Sequence, residues 1–582
     1  MFSENTMNFY YFMMNKQLIY SFRKYLMLLV CICTTLIVQA QTESEVAYRE
    51  ELKAVEAKLR EGRFQEGLQL LDDITAKYPE VADIYYAKSL ILGQRGNYDE
   101  AVQNAALAYD KSKHMFYANH LLELYKSKKD LAKGIELLQD LKVKYPEHEG
   151  LNRELLILYA ENKQLDQAQK LYGKLTSANP SDTLHLVMSE VYINSKDFTS
   201  AKKILTKLDG KTMIPDVYGY LGYIHANENK PKEALAVIER GIKRTNDKSL
   251  YLDLADTYKN MGKTEPMYTA LKIAFDASEV VFWDKYKFIM GLMNEEQILS
   301  DDKMQLLANS LVARHPDILE GQILKGELLW KGGNAAEARS VFLNVVSSNP
   351  RYINAWRLVI NTDLGLGQAD EAIKHGLEGL KHNPNNPQLL YFTSLGFAGK
   401  QDYESSKGML ETALNYSENE NNYLRSLIYG SLGDLYHELK MENMSDAAYD
   451  EAIALDSLNV SALNNYAYYL AVRKKDLEKA ADFSKRSIEI EPNSATYMDT
   501  YAWVLFQQGE YQEALKWIEE AVKLNKTSAV LLEHYGDILS KLNREKDALV
   551  QWQKALDIEI KSESKGSFAK IQQKIKEKKY VE

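Results

Sequence analysis

Few residues of this 582-residue chain stand at spacings that reaction chemistry could use. His375 and His382 could share one helical face and offer two imidazoles to a metal, but Asn383-Pro384 closes that helix, which favours a surface pair. His437-Glu438 starts like a zinc-protease motif, and no second histidine follows at the required place. Gly365-Leu366-Gly367-Gln368-Ala369-Asp370 begins like a dinucleotide fingerprint but lacks its third glycine. The acids Asp284, Glu295, Glu296, Asp301 and Asp302 crowd a stretch too short for its own core, and they read as solvated rather than as a general acid–base pair. There is no phosphate-cradling loop and no Gly-x-Ser-x-Gly elbow. The sequence therefore reads as non-enzymatic, with no cofactor and no metal.

Both cysteines, Cys31 and Cys33, lie in an apolar run from Tyr25 to Val38. Arg23 and Lys24 precede the run, and Val38-Gln39-Ala40 follows it. A basic segment, a short apolar core and a small residue at a cleavage point make a secretory signal. The core is short of the roughly 20 residues a membrane span needs. Residues 1–40 are expected to be the signal, cleaved after Ala40, with translation starting at Met1 or at Met13 or Met14. A retained anchor is the alternative; lipidation is disfavoured by Val30 and Ile32 before the cysteines. Cleavage leaves a mature chain with no thiol and no transmembrane span, exported to the periplasm or envelope. The net charge of −10 disfavours nucleic acid as a partner. The basic end, with Lys570, Lys574, Lys576, Lys578 and Lys579, reads as a solvated helix face.

The rest of the chain repeats. Ala514 and Ala521 recur as Ala548 and Ala555; Gly333, Ala338 and Pro350 recur as Gly367, Ala372 and Pro384. Gly62 recurs as Gly96, and Pro146 as Pro180, always 34 residues on. Apolar positions in Ala514–Val522 fall three and four apart, as on an amphipathic helix. No strand alternation is evident. Gly96-Asn97, Gly262-Lys263 and Gly509-Glu510 suit tight turns between helices, and Pro79, Pro146, Pro180, Pro350, Pro384 and Pro492 suit helix ends.

This period and pattern resemble the tetratricopeptide repeat family, over nearly all of residues 48–560. Segments such as Gly222…Ala234…Ile238, Gly326…Ala338…Phe342…Pro350 and Gly433…Tyr449…Ala452 carry the likeness. It implies an all-α fold, a right-handed superhelical solenoid of antiparallel helix pairs with about fourteen repeats, each leaning on its neighbours. A glycine or alanine lets paired helices approach, and a residue such as Leu138, Tyr172, Phe342 or Trp552 fills the gap. Tyr98, Tyr403 and Tyr511, just past the turns, are expected in the core. The expected divisions are a signal at 1–40, an N-terminal array at 41–276, a degenerate repeat or hinge at 277–318, a C-terminal array at 319–560, and a capping helix with a basic tail at 561–582. The polar insertion Ser417–Asn422 is expected to be an exposed loop, and Lys474-Lys475 to lengthen a turn by one residue.

In this family the first helices line a concave groove that receives peptides or partner helices. Carried onto the C-terminal repeats, that geometry puts Asn464, Tyr468, Asp499, Trp503, Phe506, Asp537 and Lys541 on the groove side. Rings supply area there and polar groups fix register, although the same rings would also serve in packing between helices. The lysine–asparagine set that clamps a terminal carboxylate in some members is not reproduced in phase. The resemblance thus implies a non-catalytic protein–protein interaction scaffold in the bacterial envelope, whose partners are other proteins. A periplasmic chaperone-like subunit for outer-membrane or secreted clients is the alternative.

Overall fold

The computed structural model describes residues 43–60, 64–178, 180–295, 298–417, 421–562 and 568–581. The expected signal at 1–40, with Cys31 and Cys33, lies outside the described residues, as does Glu296. Among the described residues the chain is all-α: 31 helices and no strand. They follow one another as fifteen pairs and a single terminal helix, Phe568–Glu577, beside an expectation of about fourteen repeats. No described helix is long and apolar enough to cross a membrane.

Local chemistry sets the helix ends. First helices are often capped by a side chain that accepts a backbone N–H: Ser181 from Leu184, Asn386 from Leu389, Asn459 from Ala462, Ser494 from Tyr497. Several second helices use aspartate in the same way, with Asp130, Asp197 and Asp402 accepting from residues three further on. The turn between paired helices requires one residue with positive φ. Gly96, Gly262 and Gly509 fill that place as expected, at φ 78, 68 and 86°. Elsewhere the place is taken by Lys129, Lys163, Lys196 and Lys440, at φ 58, 58, 60 and 62°. A side chain in that conformation costs roughly 1–2 kcal/mol, so the turn geometry is imposed by the packing of the two helices. Lys474 and Asp476 both have positive φ, which is how the extra residue is absorbed before the helix Leu477–Ile490.

The described residues fall into two compact units, which divide between Ala274 and Phe275. The first is built on small and branched apolar residues. Ala101, Ala105, Ala118, Leu138, Leu141, Leu155 and Leu158 form one cluster. Tyr48, Leu71, Ile74, Ile84 and Ile91 form another at its N-terminal end. The Tyr48 and Tyr117 hydroxyls donate to the two oxygens of Asp83, at 3.0 and 2.6 Å. Gly222 meets Ile238 so closely that a Cβ on the glycine would stand 2.6 Å from the isoleucine side chain. Tyr98 departs from expectation: it is 42% exposed. It is the first residue of its helix, Tyr98–Ser112, and the buried face of that helix is carried by Ala101, Ala105 and Ala108.

The second unit begins with the stretch that lacks the repeat signature. It nevertheless holds two helices, Phe282–Met293 and Asp301–Arg314. Lys285 is fully buried there, and its amine donates to the carbonyls of Phe275 (3.2 Å) and Ala277 (2.5 Å). Burial pulls that amine down to about 8. From Leu319 onwards the crossing rule holds visibly. A Cβ on Gly433 would stand 2.8 Å from the Tyr449 ring, and Gly326 and Gly536 sit still closer to Phe342 and Trp552. Those three large side chains are 0–1% exposed. Tyr403 and Tyr511 are partly buried against neighbouring clusters. The insertion at 417–422 is not simply an exposed loop. Residues 418–420 lie outside the described set, but Ser417 is buried, and Asn421 caps a helix that starts early, at Asn422, and runs 17 residues to Glu438.

Candidate binding face of the C-terminal repeats

Three successive first helices, Val460–Val472, Ala495–Gln508 and Ala529–Lys541, carry the residues expected on the groove side. On each helix these residues are three or four apart, so each set shares one face. The structure orders them by depth. Asn464, Asp499, Phe506 and Asp537 are buried, Tyr468 and Trp503 are partly exposed, and Lys541 is exposed.

Trp503 is the centre of a stack. Its ring lies parallel to Phe506, 4.8 Å between centroids, and nearly parallel to His534, at 4.2 Å. His534 sits one repeat further on, and its Nδ1 is 2.8 Å from Asp499 Oδ1. Burial acts to lower the His534 pKa, but the Asp499 carboxylate prevails and holds it above the ordinary value. Burial pushes the Tyr468 hydroxyl up, assisted by the charges of Asp499 and Glu533. Thus Asp499 links two first helices and favours the charged form of the stacked imidazole.

Asp537 anchors the deepest point. Its Oδ1 accepts from Trp552 Nε1 at 2.9 Å and its Oδ2 from Lys574 Nζ at 2.6 Å. The same amine is 2.6 Å from Glu533 Oε1. Burial raises the Asp537 carboxyl to about 6, against the opposing pull of Lys574. Lys574 corrects the sequence reading, which set it on a solvated basic face: it is 2% exposed. Its neighbour on the terminal helix, Ile571, is fully buried, so the buried strip runs through 571 and 574. Beyond that helix Lys578 takes a positive φ of 56°. Tyr580 then donates its backbone N–H to Ser540 Oγ at 3.0 Å and sets its ring edge-on to Phe506, 5.2 Å between centroids. The Lys541 amine lies over the Tyr580 ring at 4.7 Å.

The sequence reading did not single out Glu533, His534 and Tyr580, and it named Lys574 only as part of a solvated basic face. His534 carried a periodic signal: it follows Asp499 by one repeat plus one residue. Asp434, one repeat before Tyr468, was missed likewise. It accepts from Tyr449, from Asn465 (3.0 Å) and from Tyr469 (3.4 Å), and burial pushes its carboxyl up against those bonds. Two atoms of the face have no partner. Asn464 Oδ1, an acceptor, and Trp503 Nε1, a donor, are buried without a hydrogen bond.

Among the described residues no group of histidine, cysteine and carboxylates is placed to hold a metal. His375 is committed to Asp363, at 2.7 Å, while His382 faces the Trp356 ring at 6.5 Å. Asp284, Glu295, Asp301 and Asp302 are exposed. The face offers rings, fixed carboxylates and two unused hydrogen-bonding atoms.

Three family models match parts of the chain. Two describe the tetratricopeptide repeat, at residues 52–115 and 427–457. The third describes subunit 3 of the anaphase-promoting complex, or cyclosome, at residues 473–555. A TPR repeat-containing protein of Methanocaldococcus jannaschii is 23% identical over 421 residues, covering 69% of this chain and 68% of its own. The human protein O-mannosyl-transferase TMTC3 is 19% identical over 376 residues, and the match spans 56% of this chain and 41% of that one. Among solved structures, the Cut9–Hcn1 hetero-tetramer of the anaphase-promoting complex covers 85% of this chain and 96% of its own at 14% identity, with a TM-score of 0.40. Yeast Tom70 covers 87% and 96% at 13% identity, with a TM-score of 0.32. A tetratricopeptide repeat protein of Parabacteroides merdae covers 45% and 98% at 16% identity, with a TM-score of 0.34. Each of the two compact units thus contains a stretch that matches the tetratricopeptide repeat.

Proposed function

We propose that this chain is a non-catalytic scaffold of the bacterial envelope that binds other proteins through the first-helix groove of its C-terminal repeats. The repeat matches support binding by a helical array. The basic, apolar and small-residue sequence of residues 23–40 supports export, with cleavage after Ala40. One observation carries the choice of groove. Asn464 Oδ1 and Trp503 Nε1, on the first helices of adjacent repeats, are buried acceptor and donor without partners. Leaving such atoms unpaired costs about 1–3 kcal/mol each. A partner that draws Asn464 and Trp503 outward on docking supplies the complementary donor and acceptor, and the partly exposed rings of Tyr468 and Trp503 offer area beside them.

The test is affinity capture from envelope extract with the full chain and with the double variant Trp503→Ala, Phe506→Ala. Defined partners should be recovered by the first and lost by the second. Unchanged recovery removes this groove as the binding site. Cleavage is checked by N-terminal sequencing of the exported protein, which should begin at Gln41.

A further inference from the structure

The terminal helix Phe568–Glu577 has ten residues. A helix that short is marginal alone in water, so its docking site holds it in shape. Ile571 joins the cluster of Ala529, Leu532, Leu539, Ala548 and Trp552. Lys574 enters between Glu533 and Asp537, within 2.6 Å of each. Tyr580 then turns back onto Phe506, leaving that ring 4% exposed. Apolar side chains in place of Lys574, Glu533 and Asp537 together would seal the last repeat at least as well as this ionic set, because desolvation offsets most of what a buried ion pair gains. The paired acids Glu533 and Asp537, together with the Phe506 ring, therefore have the character of a receptor for a cation followed by an aromatic group. The chain supplies both itself.

We propose that segment 568–581 is an internal ligand: it occupies in cis a site on the last two repeats that takes a basic amphipathic helix followed by an aromatic ring, and a partner carrying such a helix binds by displacing it. The complementarity is electrostatic. The site contributes Asp499, Glu533 and Asp537 beside the cations His534 and Lys541, and the segment meets Glu533 and Asp537 with Lys574, while its other lysines, Lys570, Lys576, Lys578 and Lys579, are exposed. Displacement would uncover Phe506, on which the already partly exposed Trp503 is stacked. This inference rests on the groove reading above.

The probe is a fluorescent peptide with the sequence of residues 568–582, titrated into the full chain and into the full-chain variant Lys574→Ala, Tyr580→Ala. The variant should bind the peptide at least tenfold more tightly than the unaltered chain does. A peptide with alanine at the positions of Lys574 and Tyr580 should bind neither. Equal affinity for the two chains, or equal affinity of the two peptides, overturns the proposal. A folding defect in the variant does not blunt the test, because the unaltered chain is read separately by hydrogen exchange. Saturating peptide should speed exchange of the amides of residues 568–577, and no acceleration overturns the proposal. Dimerisation by exchange of this segment between two copies, seen by sedimentation, also overturns the cis assignment. If the peptide fails while Trp503→Ala, Phe506→Ala still abolishes partner capture, the internal ligand alone is refuted. If both fail, the groove reading falls with it.

Discussion

The amine of Lys574 lies 2.6 Å from Asp537 Oδ2, with the two side chains 2% and 1% exposed. A pair sealed to that degree is costly to break from one side, because the partner left behind keeps its desolvation penalty. Lys574→Met should therefore destabilise the last repeat by about 3–5 kcal/mol at pH 7.5. Opening free energies from hydrogen exchange in the helix Glu545–Ser562 give the measurement. Asp537→Asn with Lys574→Met should restore part of the loss.

The same cluster gives stability a pH dependence of definite sign. Asp537 is raised to about 6, so the folded state favours its protonated form; that contribution is present below the unfolded carboxylate value and is lost as pH rises through about 6. His534 is also raised, so its charged form is favoured, and its contribution is likewise lost as pH rises through its folded value. The groups facing them are Asp499, Glu533 and Lys574. The C-terminal repeats should be more stable at pH 5.5 than at pH 8, and Asp537→Asn should flatten the difference. Thermal melts across that range decide it, and greater stability at pH 8 would contradict the assignment.

Gly326→Ala drives a methyl group into the Phe342 ring, which is 1% exposed and has no room to retreat. Overpacking of this kind costs about 1–3 kcal/mol. The substitution should lower the melting temperature of the second unit, and Gly326→Ala with Phe342→Leu should recover most of the fall.

Lys163 holds a positive φ that glycine adopts freely. Lys163→Gly relieves about 1–2 kcal/mol of backbone strain and adds back less than that in unfolded-state entropy. The net effect should be a stabilisation of about 0.5–1 kcal/mol, readable by denaturant titration. A loss of similar size at Lys163 would mean that its side chain contributes more than its backbone costs.

What the sequence disclosed was whatever close packing dictates locally. Gly222, Gly326 and Gly433 were legible as helix crossings because no larger residue fits there. The period of 34 was legible because each crossing must recur for repeats to stack. Lys163 and Lys196 were not legible as turn residues, since nothing in a lysine advertises a left-handed backbone and only the packed helices enforce it. Lys574 was misread because its acids lie 37 and 41 residues away, on a helix reached only once the stack is assembled. Asn464, Asp499 and Asp537 lie on first helices, but which of them are already engaged depended on His534, Trp552 and Lys574. Those partners carry no mark in one dimension.

The crossings at Gly222, Gly326, Gly433 and Gly536 share one further property: each glycine meets its large partner sixteen residues later, within the same pair of helices. The complementary shapes are thus inherited together on one short stretch of gene. Recombination between such genes would preserve the match if it exchanged whole pairs, and would separate glycine from ring if it fell in the turn between two helices. Viable chimeras of this chain should accordingly have their junctions between pairs.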